Sequence, residues 1–267
     1  MRLLVIGNYR EDNYDVLGVV SDQYEVVQNW DAFKFLDSLS QDGVVRYEAA
    51  GSLKGGKIVW VLARMPEEFV VAGNDRLRQY VMFHTSHDGS CGVAMTPTDV
   101  RVVCMNTFRL ASDDKKAQFT VSHRGDIKAQ MEQARQHIMS MQTGFDLQHQ
   151  KSKFMSTVSI KREQVEAYLK VLIPDEDGIN NSRRERSRQA ILAAYADGPQ
   201  NLPEIRGTAW AMFNAVTQHV DHNPAMIYRG KNTDAKTESR MLSVMTGSNA
   251  DFKESAFNLA LQVAEAV

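Results

Sequence analysis

Leu77-Arg78-Gln79-Tyr80-Val81-Met82-Phe83-His84-Thr85, Ser86-His87-Asp88-Gly89-Ser90 and Cys91-Gly92-Val93-Ala94-Met95 are consecutive, and their reading decides the fold. Two apolar runs flank an Asp-Gly pair. Asp-Gly supplies the positive-φ position that a tight hairpin turn requires, so the stretch predicts two antiparallel strands joined at residues 87–90. The pattern repeats on either side. Val100 to Cys104 reads as a further strand, with Pro97 as the turn before it, and Gln118 to Ser122 as an edge strand. Upstream, Val44 to Ala50 and Lys57 to Arg64 form a second hairpin around Gly51-Ser52-Leu53-Lys54-Gly55-Gly56, stopped by Pro66. Leu3 to Ile6, Val16 to Val20 and Tyr24 to Gln28 extend the strand-rich part. Asn29 caps a helix predicted over Asp31 to Leu39, with Phe33, Leu36 and Leu39 on one face.

From Asp126 the apolar period becomes helical. Ile127, Met131, Ala134, Ile138 and Met141 make one stripe. A second helix is predicted from Lys161 to Ile173, stopped by Pro174, with Val165, Leu169 and Leu172 inward. Ser182 and Glu185 have capping-box spacing and open a helix to about Tyr195, which Gly198-Pro199 breaks. Thr208 caps the helix of Trp210, Phe213 and Val216. A last helix near Asp251 to Ala264 carries Phe252, Ala256, Leu259 and Val263. Strands followed by helices predict an α+β fold: an N-terminal antiparallel β-meander with a short helix, then a helical half packed on the sheet. The expected division is residues 1–123 and 124–267, as two domains or one merged domain.

The chain has 267 residues, 31 Lys+Arg against 33 Asp+Glu, and a net charge of −2. That excludes a broadly basic, nucleic-acid-coating surface but allows a local basic groove. Two cysteines, Cys91 and Cys104, are too few for a disulfide framework and fit a reducing, cytoplasmic setting. No apolar run approaches the ~20 residues that span a bilayer, so no membrane is expected. Met1 to Ile6 is too short an apolar run for a signal peptide.

Several segments carry a resemblance: Leu17-Gly18-Val19-Val20-Ser21-Asp22-Gln23-Tyr24, Val27-Gln28-Asn29, Ala50 to Gly56, Ser86 to Ser90, and Arg101 to Thr107. Gly207-Thr208-Ala209-Trp210, Asn214 to Thr217 and His219-Val220-Asp221-His222 continue it. With these, the chain resembles the phage/plasmid-like proteins grouped as domain of unknown function 932. Members of that group usually carry an upstream Trp-His-Gly-Leu-Gly type motif, and this sequence starts after it. The resemblance implies a mobile-element context and little chemistry.

Candidate chemistry gathers at strand ends. Ser86, His87, Asp88 and Ser90 invite a nucleophile-and-base reading. Sequence neighbours on a strand do not converge as a triad needs, and the plainer role is hydrogen bonding within the turn. His84, His87 and Asp88, with His123, His219 and His222, match no dedicated zinc spacing, so no metal is expected. Gly51 to Lys57 lacks Walker spacing and leads into a strand, so no nucleotide cofactor is expected; Lys54 and Lys57 decorate a hairpin tip that could touch a phosphate backbone. Arg183, Arg184, Arg186 and Arg188 form the densest basic run, a solvated helix face or a phosphate-contacting one. Aromatics for base stacking are sparse there, and Phe154, Tyr168 and Tyr195 read as core. Trp210 and Phe213 also read as packing residues. Asn214 and Thr217 could face a cleft, and Asp221 with His222 could orient a base or cap a helix.

Two function classes follow. The first is an accessory protein of a phage, plasmid or integrated element that binds single-stranded DNA in recombination or DNA metabolism. Its contacts would be Lys54, Lys57, Arg101, Arg109, Arg124, Arg183, Arg184, Arg186 and Arg188. The coarse layout of annealing recombinases, a β-meander buttressed by helices, is the analogy behind it. The second is an enzyme or ligand-binding protein whose site lies between sheet and helices. Its catalytic candidates are His87, Asp88, Asp221 and His222, lined by Arg101, Asn106, Asn214 and the polar residues Ser86, Ser90 and Thr107. Self-association is left open by the sequence.

Overall fold

The computed structural model describes residues 2–10, 13–30, 33, 37, 40–102, 107–109, 119–121, 127–222, 243, 244 and 247–267. Strands β1 (Arg2–Arg10) and β2 (Asn13–Ser21) form a two-stranded antiparallel sheet. β3 (Arg46–Leu53), β4 (Ile58–Ala72), β5 (Asp75–Ser86), β6 (Val93–Arg101) and β7 (Thr107–Arg109) follow one another in a second sheet, and β8 (Phe119–Val121) pairs with β6. The helices are α1 (Ile127–Thr157), α2 (Arg162–Leu172), α3 (Ser182–Asp197), α4 (Ala209–His222) and α5 (Ser248–Glu265). Antiparallel sheets with helices mostly in the C-terminal half make the fold α+β.

The chain forms two compact units that interleave along the sequence. One holds residues 1–67, 79–98 and 112–144; the other holds 68–78, 99–111 and 145–267. In the first, Tyr80, Val81, Met82, Phe83, Val93 and Met95 are buried on β5 and β6, and Phe33 meets Phe83 edge-to-face at 5.3 Å. A smaller cluster of Val5, Leu17 and Val20, with Tyr24 against it, holds the β1–β2 hairpin. Gly89 (φ 75°) makes the Asp-Gly turn as the sequence predicts.

The second unit has the larger core. Trp210, Phe213 and Val216 on α4 pack with Phe257 and Ala260 on α5, Leu169 on α2 and Ile191 on α3. Phe213 meets Phe257 edge-to-face at 5.2 Å, and each such aromatic contributes about 2–3 kcal/mol by burial. Thr208 caps α4 as expected, its hydroxyl accepting from the Ala211 N–H at 3.2 Å. Through this core runs a buried ion pair. Arg101 donates to Asp75 Oδ1 at 2.6 Å and Oδ2 at 2.9 Å, and to the Gln200 carbonyl at 2.7 Å. Trp210 Nε1 donates to the same Asp75 Oδ2 at 2.7 Å.

Four expectations change. β4 continues through Pro66, because β3 pairs with it only as far as Arg64 and beyond that point the β3 side is an edge, where strands tolerate proline. β6 likewise runs through Pro97 instead of turning there; β8 pairs with it only from Val93 to Met95. Residues 24–28 are not a strand. The capping box at Ser182 and Glu185 does not form. Asn180 Oδ1 takes the Ser182 N–H at 2.9 Å, Asn181 is the N-cap, and Glu185 instead accepts from Arg188 and Gln189. The stripe residues Ile127, Met131, Ala134 and Ile138 have side chains outside the described set.

Removing Asp75 would leave a buried guanidinium without its counter-charge. We expect Asp75→Ala to lower the unfolding free energy by about 3–5 kcal/mol in urea titration, and Asp75→Ala with Arg101→Met to recover most of it. Equal stability of Asp75→Ala and the wild type would refute the role given to this pair.

Candidate functional site

Three of the segments that carry the resemblance, 17–24, 27–29 and 86–90, meet around residues 86–91. Ser86 ends β5, and its hydroxyl donates to the Cys91 carbonyl at 2.7 Å and accepts from the Cys91 N–H at 2.9 Å, closing the turn. Asp88 Oδ1 accepts from the Ser90 N–H at 2.9 Å, the side-chain turn expected as the plainer role. Tyr24 donates its hydroxyl to the Ser86 carbonyl at 2.7 Å. Gly18 on β2 lies so close that a Cβ there would sit 2.5 Å from Asp88 Cα and 2.6 Å from the His87 carbonyl. His87 Nε2 shares a hydrogen bond with Asn29 Oδ1 at 2.8 Å, and its N–H donates to the Lys57 carbonyl at 2.7 Å.

The electrostatics follow from this packing. Partial burial would raise the Asp88 carboxyl, but hydrogen bonds from Ser90 and Ser86 and the charge of Lys54 outweigh it and hold the carboxyl low. Burial, with the Asp88 and Cys91 charges behind it, pushes Tyr24 up to about 12. Burial also raises the Cys91 thiol. His87 is lowered by burial, partly opposed by Asp88, and His84 is lowered by burial to about 4. The raised Cys91 thiol stays protonated and is a poor nucleophile. Ser86 Oγ and the Cys91 backbone bond each other, and His87 Nε2 bonds Asn29 Oδ1, so Ser86 and His87 each have a partner within the turn.

Lys54 is exposed at the tip between β3 and β4, in a turn where Lys54, Gly55 and Gly56 all have positive φ (54°, 65° and 87°). Lys57 is half-buried. The turn leads into strand β4 rather than into a helix.

In the second unit the candidates sit in other environments. Arg101 is wholly buried in its pair with Asp75 and offers no surface to a phosphate. Arg109 is buried and donates to Glu254 at 2.8 Å and to Asp251. Thr107 gives its N–H to Asp221 Oδ2 at 2.8 Å, and Lys253 Nζ donates to Asp221 Oδ1 at 2.8 Å and to the Thr107 carbonyl at 2.5 Å. Asp221 therefore serves Thr107 and Lys253, while His222 at the end of α4 is exposed. Burial lowers the Lys253 ammonium, against the pull of Asp221. Asn214 and Thr217 are buried in α4, donating to the Trp210 and Asn214 carbonyls.

The basic run is half neutralised. Arg188 is buried and pairs with Asp175 and Glu185; Arg184 pairs with Glu176. Arg183 and Arg186 are exposed. Tyr168 is core, and its hydroxyl donates to the Ala256 carbonyl at 3.0 Å. Phe154, expected in the core, is 42% exposed and stands beside Lys151 and Lys153. Asn106 and Arg124 lie outside the described residues.

His87, Asp88, Ser86 and Ser90 belong to the first unit; Arg101, Thr107, Asn214, Asp221 and His222 belong to the second. Neither unit assembles the full polar site expected from the sequence. Sequence reasoning missed Asp75, Lys253 and the Asp99 cluster, in which Asp99 accepts from Gln148 at 2.8 Å and meets His149 Nε2 at 3.1 Å. Lys253 was legible: it falls on the buried stripe of α5 with Ala250, Ala256 and Phe257. Among the described residues, no group of three or more His, Cys, Asp or Glu could hold a metal ion, and no helix is long and apolar enough to cross a membrane.

A family model described as a domain of unknown function (DUF932) matches residues 16–245, and the chain belongs to that family. No curated protein and no solved structure matches it.

The lowered histidines make stability depend on acid. The unfolded chain protonates His84 near 6.5 and the folded protein near 4, so in that window the unfolded state binds more protons and stability falls as pH falls. The loss from His84 is roughly 3 kcal/mol by pH 4. Urea titrations from pH 7 to 4 should show this slope, reduced in His84→Leu; parallel profiles for variant and wild type would contradict it.

Proposed function

We propose that this family member binds single-stranded nucleic acid through its helical unit, as an accessory protein in the DNA metabolism of a mobile element. The observation that supports it is Phe154. Phe154 on α1 is 42% exposed and shares a helical turn with the half-buried Lys151 and the exposed Lys153. An exposed ring beside cations is what sequence-tolerant base stacking uses. The same unit exposes Arg183 and Arg186 at the start of α3, and its carboxylates neutralise Arg184 and Arg188 instead. The phosphate-contact set is thereby narrowed to Lys151, Lys153, Arg183 and Arg186. The resemblance to phage/plasmid-like proteins supports the mobile-element setting, and a cytoplasmic location goes with it.

One observation favours a second reading, a ligand site at residues 86–91 of the other unit. His87 is buried, and among the described residues its Nδ1 has no hydrogen-bond partner. A small molecule with a donor could complete it. The imidazole nitrogen shifts of His87, followed during titration with candidate ligands, would show this; unmoved shifts would count against it.

Anisotropy of labelled single- and double-stranded DNA over a salt series tests the first reading. Binding should weaken steeply with salt, with slopes near −0.7 per neutralised phosphate on single strands. Changing Lys151, Lys153, Arg183 and Arg186 to Ala should flatten that slope. Phe154→Ala should cost about 1–3 kcal/mol and leave the slope unchanged. Absence of binding at low salt, or wild-type binding by both variants, would refute the assignment.

A further inference from the structure

We infer that this chain self-associates through the outer face of the β1–β2 hairpin, packed against the same face of a second copy. The register places Leu4 opposite Val19 and Ile6 opposite Val16. Directly paired residues share a face. Val16 and Val19 are three apart and would point to opposite faces in a regular strand. The register shift beside Val5 and Ile6 drops Leu17 out of the pairing and returns Val16 to the face of Val19. The result is a four-residue apolar face, with Leu4 60%, Ile6 54%, Val16 53% and Val19 55% exposed. The opposite face is already covered, where Val5, Leu17 and Val20 are buried against Tyr24.

A sheet apolar on both sides is the pattern of strands buried on both sides. This one has two strands, a size that is marginal without cover. Its ends are unlike. Arg2, opposite Ser21, closes one end of the face; Tyr14, 63% exposed, closes the other. A two-fold interface needs a patch complementary to itself. A two-fold axis lying in the interface across the strands sets Leu4 of one copy on Ile6 of the other. It also brings each Arg2 toward the partner's Tyr14, a cation facing an aromatic ring. Nine-residue strands about 4.8 Å apart present a footprint of roughly 300 Å² per copy. Two copies would bury about 600 Å² together, below the ~1,000 Å² of a stable interface, so the association is a weak, concentration-dependent one.

Sedimentation velocity of the full chain from about 1 to 100 μM tests this, the range in which weak interfaces assemble. The wild type should pass from monomer to dimer as concentration rises. Leu4→Lys and Ile6→Glu, both at exposed positions and checked by circular dichroism, should each weaken association at least tenfold. Mixing the two variants should restore it, because the two-fold sets the new lysine on the new glutamate. That recovery also shows that neither variant has lost its hairpin. A wild-type monomer throughout would overturn the inference and leave the face to a different protein partner. So would dimers indifferent to both variants, or a mixture that fails to recover. The residues involved are separate from those proposed to bind nucleic acid, so either reading can fail alone.

Discussion

The buried contact between Arg101 and Asp75 is the constraint on which the helical unit depends. A guanidinium at zero exposure is costly unless its donors are met. Here both carboxylate oxygens and the Gln200 carbonyl meet them, and Trp210 Nε1 adds a donor to the carboxylate. Four chain segments are thereby fixed: the start of β5, the end of β6, the turn after α3, and α4. Hydrophobic burial alone tolerates sliding and repacking, because it has no direction. Planar, bidentate contacts do not. The turn after α3 has its own demand for this geometry, since a Cβ at Gly198 would sit 2.4 Å from both the Ala194 carbonyl and Gln200 Oε1.

In the other unit the same work is done by short polar contacts around one turn. Gly18, Tyr24, Asn29 and Ser86 to Ser90 are far apart in sequence, and each contributes to closing residues 86–91. Gly18 makes room for the Asp88 backbone, Tyr24 and Asn29 bond Ser86 and His87, and Ser86 ties off Cys91. These are among the residues that carried the family resemblance. Apart from His87 Nδ1, the hydrogen bonds named here satisfy one another, which is a physical reason for these residues without any reaction. Polar residues at strand ends therefore mark a folding constraint here before they mark chemistry.

This explains what the sequence made legible and what it hid. The β5–β6 hairpin was readable because Asp-Gly and two apolar runs are local signals. So were α2, α4 and α5, whose apolar periods are clear, and the cap at Thr208. The two prolines misled because their effect depends on the neighbouring strand: Pro66 lies past the end of β3, a fact of pairing rather than of composition. The capping box failed by one residue: the helix starts at Ser182 with Asn181 as its N-cap, and the Ser182 N–H goes to Asn180 Oδ1. Arg101 read as a phosphate contact because a lone cation in sequence shows no partner, and its partner lies 26 residues away. The alternation in β5 did contain a hint. Asp75, Leu77 and Gln79 are buried between the outward Arg76 and Arg78, so Asp75 shares a face with the core.

The corrections also move the search for function. Charge density drew attention to residues 183–188, yet charge density is not free charge. Nearby carboxylates at 175, 176 and 185 are placed to pair with Arg184 and Arg188, so only part of the run remains open to a ligand. Exposure of apolar groups is the more informative departure, because folding gives no reason for it. Phe154 was expected inside and is outside. Leu4, Ile6, Val16 and Val19 read as strand residues, and one whole face of their hairpin lacks cover. A chain whose polar segments are largely satisfied by its own fold keeps its unused interaction energy in such places. That is the physical ground for seeking its ligands at exposed rings and uncovered strands before its buried histidines.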